Sequence, residues 1–124
     1  MDPLIIDAIK ETPSVILRGS EGIFSFKGKS YPENVHEFYD PIISYLEEYI
    51  QNPQEKTILE FNWLYFNTAT FKMIVKIILL LKKVTEKDKT FTVNWYCSQD
   101  DELMPAKGEE LKELLNVEFN ILFV

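Results

Sequence analysis

The stretch TILEFNWLYFNTATFK, Thr57 to Lys72, changes its period partway along. In its first part Leu59, Phe61, Trp63 and Tyr65 fall on one side of an extended chain and Ile58, Leu64 and Phe66 on the other. That pattern predicts a central strand covered on both faces. From Thr68 to about Thr85 the apolar residues recur at helical spacing instead. Asn67, Thr68 and Thr70 sit at the junction, and all three are types that accept hydrogen bonds from the unpaired N–H groups of a helix's first turn.

The same alternation continues in both directions. Downstream, TFTVNWYC predicts a strand, roughly Asp101 to Leu115 a helix, and VEFNILFV a last strand. Upstream, SVILRGS and IFSFKGK are β-rich runs separated by Glu21 and Gly22, which predicts a hairpin. From Val35 to Ile50 the apolar residues keep helical spacing across Pro41, as one kinked helix or as a turn followed by a helix capped by Asp40. The order β-β-α-β-α-β-α-β predicts an α/β sandwich with a mixed sheet packed with helices. No repeat or flexible linker divides residues 1–124, so a single domain is expected.

Charge and composition narrow the function. Thirteen Lys and Arg stand against twenty Asp and Glu, a net charge of −7 that argues against nucleic acid or an anionic membrane as the main partner. The helix after Thr68 is interrupted by Lys72, Lys76, Lys82 and Lys83, short of the roughly 18 apolar residues of a membrane span. With one cysteine and no leader-like start, a cytoplasmic protein is expected.

The threonine turn has two readings. In one, its polar side chains only cap the helix. In the other, Thr68 is a phosphoacceptor: a phosphate adds roughly −1.5 to −2 charges where amides and the helix dipole favour an anion, and acts on a protein docked over the turn. On a helical wheel Lys72, Lys76 and Lys83 form a stripe, and Phe71, Ile74, Val75, Ile78 and Leu81 a core face. Met73, Ile77, Leu80 and Val84 widen the apolar arc, offering either a docking strip for a partner or a surface that the rest of the domain covers.

The densest acid lies in SQDDELMPAKGEELKELL. It reads as a solvated helix face with acids at its start. If the strands before and after run parallel, Asp100 and Asp101 also come near Thr68 as an acidic rim. A Mg2+ site there matches no known metal loop. His36, the only histidine, reads as a surface or capping residue, and Cys97 as a small buried hydrophobe. In GKSYPENVHEFYDP a rigid turn leads into the helix, with Ser30 or Asn34 as its cap.

Three segments, GKSYPENVHEFYDPIISYLEEYI, LEFNWLYFNTATFK and VNWYCSQDDELMPAKGEELKELL, together resemble the SiaC family of bacterial regulatory phosphoproteins, whose members look like anti-sigma-factor antagonists of the STAS fold. The resemblance implies a STAS-like domain with no catalytic residues and no cofactor. It implies phosphorylation by a Ser/Thr kinase of the anti-sigma-factor type, reset by a PP2C-type phosphatase, and binding and activation of a diguanylate cyclase by the unmodified form. That activation raises cyclic di-GMP and favours biofilm. Thr68, directly after Asn67, takes the acceptor position. Family sequences commonly carry Ser where this chain has Ala69, so Thr70 is the second choice. The expected partner surface is Asn67, Lys72, Met73, Lys76 and Ile77, with Asp100 and Asp101 beside it. Two other readings compete: a metal-dependent phosphohydrolase using Asp100 and Asp101, and a constitutive scaffold in which the turn is only a cap.

Overall fold

The computed structural model describes residues 1–124 and contains one six-stranded mixed sheet with three α-helices. In chain order these are β1 (Leu4–Ile6), β2 (Ser14–Arg18), β3 (Ile23–Ser30), α1 (Val35–Tyr49), β4 (Lys56–Phe66), α2 (Thr68–Lys82), β5 (Thr90–Cys97), α3 (Leu103–Leu115) and β6 (Glu118–Phe123). A 3-10 turn over Lys83–Lys87 follows α2. From Ser14 onward the order is the expected one, and β1 adds a three-residue edge strand antiparallel to β2. The β2–β3 hairpin turns at Gly22, whose φ of 70° suits glycine and where a Cβ would collide with the Lys56 carbonyl.

Strands β3, β4, β5 and β6 run parallel and lie side by side in that order. Each successive pair is joined by a helix. Because such crossovers are right-handed and the order advances steadily across the sheet, all three helices fall on one face. The expected covering of β4 on both faces is therefore corrected. Thr57, Leu59, Phe61 and Trp63 are buried under the helices, while Ile58, Glu60 and Asn62 line the uncovered face. On that face Glu60 accepts hydrogen bonds from Ser25 and Tyr96.

A bulge explains the second departure. Gly28 pairs with Trp63 and Lys29 with Tyr65, so Leu64 is an extra residue in β4. Past it the alternation reverses. Phe66 takes the core position that strict period-2 spacing assigns to Tyr65, and Leu64 and Tyr65 are exposed.

Helix α1 is continuous through Pro41 and capped by Asn34, whose Oδ1 accepts from the Glu37 amide at 3.1 Å. Pro41 is exposed, so the carbonyl deprived of its partner by the missing N–H is on the solvated side. Twenty-seven buried apolar residues from the sheet and all three helices form one core cluster. No helix is long and apolar enough to cross a membrane.

Candidate functional site

β4 leaves the sheet at Phe66, and Asn67 turns the chain into α2. Its extended backbone and its Oδ1, which accepts from the Thr70 amide at 2.9 Å, make it the helix cap. The Asn67 amide donates to the Ser30 carbonyl at 3.1 Å, fixing the turn to the end of β3. Capping is thus the work of Asn67, and neither threonine hydroxyl shares it.

The two threonines differ sharply. Thr70 is fully buried. Its Oγ1 donates to the Ser30 carbonyl at 3.0 Å and lies 2.8 Å from Ser30 Oγ, which is 2.7 Å from the Tyr39 hydroxyl. One proton assignment uses every donor: Tyr39 to Ser30 Oγ, Ser30 to Thr70 Oγ1, and Thr70 to the Ser30 carbonyl. This closed chain of hydroxyls joins β3, α1 and α2 beneath the turn. Thr68, the first helical residue, is exposed. A kinase can reach Thr68 directly, whereas Thr70 has to leave its bonds first.

Ser30 and Tyr39 are the site residues that sequence reasoning missed. Ser30 was expected at most to cap α1, but Asn34 does that and Ser30 is fully buried. Its sequence signal is a lone serine on the core side of β3, in step with Phe24 and Phe26. Burial pushes the Tyr39 hydroxyl up to about 12, against the opposing pull of its bonds with Ser30 and Thr70. The unfolded chain ionises this group near 10, so the contribution to stability is complete below about pH 10 and is lost as pH rises through about 12. Urea unfolding between pH 9.5 and 12 is expected to show an extra loss of about 2–3 kcal/mol that is absent in Tyr39→Phe.

A small hollow of about 150 Å³ opens beside Thr68, lined by Phe66, Asn67, Thr68, Phe71 and Lys107. Lys107, from α3, holds its Nζ 5.8 Å from the centre of the Phe71 ring, a cation–π contact. The parallel strands do bring the α3 segment to the turn, but the charge lining the hollow is basic. Asp100 and Asp101 do not line it. Asp101 instead caps α3, accepting from the amides of Leu103 and Met104 at 2.9 and 3.1 Å, and Asp100 is exposed.

The docking strip expected from Met73 and Ile77 is corrected as well. Both are core residues, 4% and 0% exposed, with Val84. α2 packs on the sheet and against α1 and α3, so its buried arc is wider than that of a helix lying on a sheet alone. Lys72 and Lys76 are exposed on its outer side and Asn67 is half-buried.

The remaining candidates sit apart from the turn. His36 is exposed, with Nδ1 3.7 Å from Asp40. Cys97 is buried, and its thiol is pushed up by burial and then by the charge of Asp101, away from thiolate chemistry. No three His, Cys, Asp or Glu side chains come together as a metal-ligand set.

Fold and turn together define a class: a mixed-sheet α/β module with helices on one face and an exposed hydroxyl on a firmly capped helix start. Comparison with known proteins makes this specific. Residues 6–124 match the model of the SiaC family regulatory phosphoproteins, and the chain belongs to that family. The description is that of a regulator and not of an enzyme. An uncharacterised protein of Pseudomonas aeruginosa (strain UCBPP-PA14) is 27% identical over 121 residues, 98% of this chain and 96% of that protein. A solved structure of SiaC of Pseudomonas aeruginosa superposes with a TM-score of 0.90 at 26% identity, covering both chains completely. A structure of the diguanylate cyclase SiaD in complex with its activator SiaC, from the same organism, contains a chain that superposes with a TM-score of 0.91 at 26% identity, over 98% of this chain and 99% of that one.

Proposed function

We propose that residues 1–124 act as one phosphorylation-controlled binding module, with Thr68 as the acceptor, and that the unmodified form binds and activates a diguanylate cyclase. The observation that carries this reading is the contrast between an exposed Thr68 and a buried, fully bonded Thr70 on the same turn. A dianion on Thr68 meets a helix start with no carboxylate in its first turn. Lys107 lies across the adjacent hollow. The helix therefore tolerates the phosphate, and the cost falls on a partner docked over the turn. The SiaC activator found with SiaD supplies the partner class. A Ser/Thr kinase of the anti-sigma-factor type writes the mark and a PP2C-type phosphatase removes it, in the cytoplasm where the kinase has its ATP.

The test is calorimetry of the cyclase from the same cell against the unmodified and the quantitatively phosphorylated chain, with the phosphate mapped by mass spectrometry. Thirtyfold or more weakening on phosphorylation is expected, about 2 kcal/mol. Thr68→Val keeps full affinity and takes no phosphate, and Thr68→Glu is intermediate. Equal affinities for the two forms, or equal binding by Thr68→Val and Thr68→Glu, remove the switch and leave a scaffold.

A further inference from the structure

A groove of about 410 Å³ runs between α1 and α2. Ile43, Val75, Leu79 and Leu80 form its apolar part, and Leu79 is 45% exposed. Lys72, Lys76 and Lys83 line it as well, against Glu47 as its single acid. None of the three lysines takes part in the chain's ion pairs, which are Arg18–Glu21, His36–Asp40 and Lys89–Glu55. In a chain with twenty acidic residues and thirteen basic ones, this is an unneutralised basic strip along an apolar seam in which Leu79 is exposed and Val75 and Leu80 are half-buried.

Resting on the reading of this chain as a partner-binding switch, we propose that the groove seats an acidic amphipathic helix of the cyclase. A cleft between two helices accepts a third helix by ridge-into-groove packing. Lys72 and Lys83 are 11 residues apart, about 16 Å along the axis, which is three turns of an incoming helix. Carboxylates spaced i, i+4 on that helix match Lys72 and Lys76, and an apolar stripe beside them covers Val75 and Leu79. A neutral or basic occupant would desolvate the three ammonium groups without compensation.

The same geometry couples the groove to Thr68. Lys72 follows Thr68 by four residues, one turn along the same side of α2, so a phosphate on Thr68 draws Lys72 into an i, i+4 pair. The acidic occupant then loses one cation and meets a dianion at the mouth of the groove.

The experiment joins the unmodified full chain to the cyclase with a carbodiimide that couples amines to touching carboxylates, and measures the affinities of variants. Cross-links are expected from Lys72, Lys76 and Lys83 to acids on one helical segment of the cyclase. Lys76→Glu is expected to weaken binding at least tenfold, Leu79→Asn about fivefold, and Lys112→Glu on the exposed side of α3 less than twofold. Cross-links confined to other lysines, or wild-type affinity in both Lys76→Glu and Leu79→Asn, overturn the groove. So does a second copy of this chain in the groove, detected as self-association lost in Leu79→Asn. The two readings fail separately: if phosphorylation still evicts the cyclase from Lys76→Glu with unchanged affinities, only the groove falls. If the variants weaken binding while phosphorylation has no effect, only the Thr68 switch falls.

Discussion

Thr70→Val is expected to lower stability by about 2–3 kcal/mol, and Thr68→Val, two residues earlier, by less than about 0.5 kcal/mol. Valine has nearly the shape of threonine, so neither change opens a cavity, and the difference isolates the hydroxyl. At position 70 the hydroxyl has 0% exposure and bonds both the Ser30 carbonyl and Ser30 Oγ. Removing it strands the Ser30 proton in a buried site, where an unmet polar group costs about 1–3 kcal/mol on top of the lost bond. At position 68 the hydroxyl faces water, and nothing buried depends on it. In a chain of this size the loss at Thr70 corresponds to a melting temperature about 10 °C lower. Urea and thermal unfolding of both variants decide the matter. Equal stability of Thr70→Val and the parent would mean that the hydroxyl chain beneath the turn holds nothing together. Tyr39→Phe combined with Thr70→Val is expected to cost less than the sum of the two, because both act through Ser30 Oγ.

This contrast also marks the limit of what the sequence discloses. The strand, polar turn and helix in Thr57–Lys72 are legible because the period changes from two to 3.6 within ten residues, and the parallel order follows from the alternation of elements. The separation of Thr68 from Thr70 is not legible, because both are threonines on one turn and the difference is made by Ser30 and Tyr39, 40 and 31 residues away from Thr70. Spacing in the chain carries no record of such a meeting. The bulge at Leu64 was hidden for a related reason: one residue inserted against Gly28 reverses the alternation only near the end of β4, where Leu64, Tyr65 and Phe66 are all apolar. A helical wheel likewise locates the lysine stripe of α2 and its wide apolar arc but not what covers that arc, which depends on which helices lie to either side. Met73 and Ile77 are therefore open to either reading on the wheel, and the structure places both inside. Lys107 at the Thr68 hollow has the same origin, since where α3 packs, and not how many acids it carries, decides which side chain arrives.

That position of α3 rests on a single glycine, and Gly108→Val is expected to cost about 3 kcal/mol. Gly108 is buried against the Trp95 indole, and a Cβ there would lie 2.8 Å from its Cδ1 and 2.9 Å from its Nε1. The ring has nowhere to go. It is 1% exposed, its Nε1 donates to the Met104 carbonyl at 2.9 Å, and Phe61 and Phe119 hold it with centroids 5.6 and 5.8 Å away. Replacing a mid-helix glycine normally gains up to about 1 kcal/mol of helix propensity, so even Gly108→Ala tests the sign of the competition: the collision is expected to outweigh the gain. With valine α3 has to lift off the sheet, taking with it Lys107, which reaches Phe71 from the same turn. The hollow beside Thr68 then loses its cation, and on the proposed reading a phosphate on Thr68 of Gly108→Val is expected to be cleaved faster by a PP2C-type phosphatase than one on the parent. Urea unfolding followed by tryptophan fluorescence measures the first effect. Trp95→Phe in the Gly108→Ala background, analysed as a double-mutant cycle, isolates the contact, with a favourable coupling of at least about 1 kcal/mol expected because the smaller ring makes room for the methyl group. Parent-like stability in Gly108→Val, or a cycle with no coupling, would show that α3 is not held at its height by Trp95.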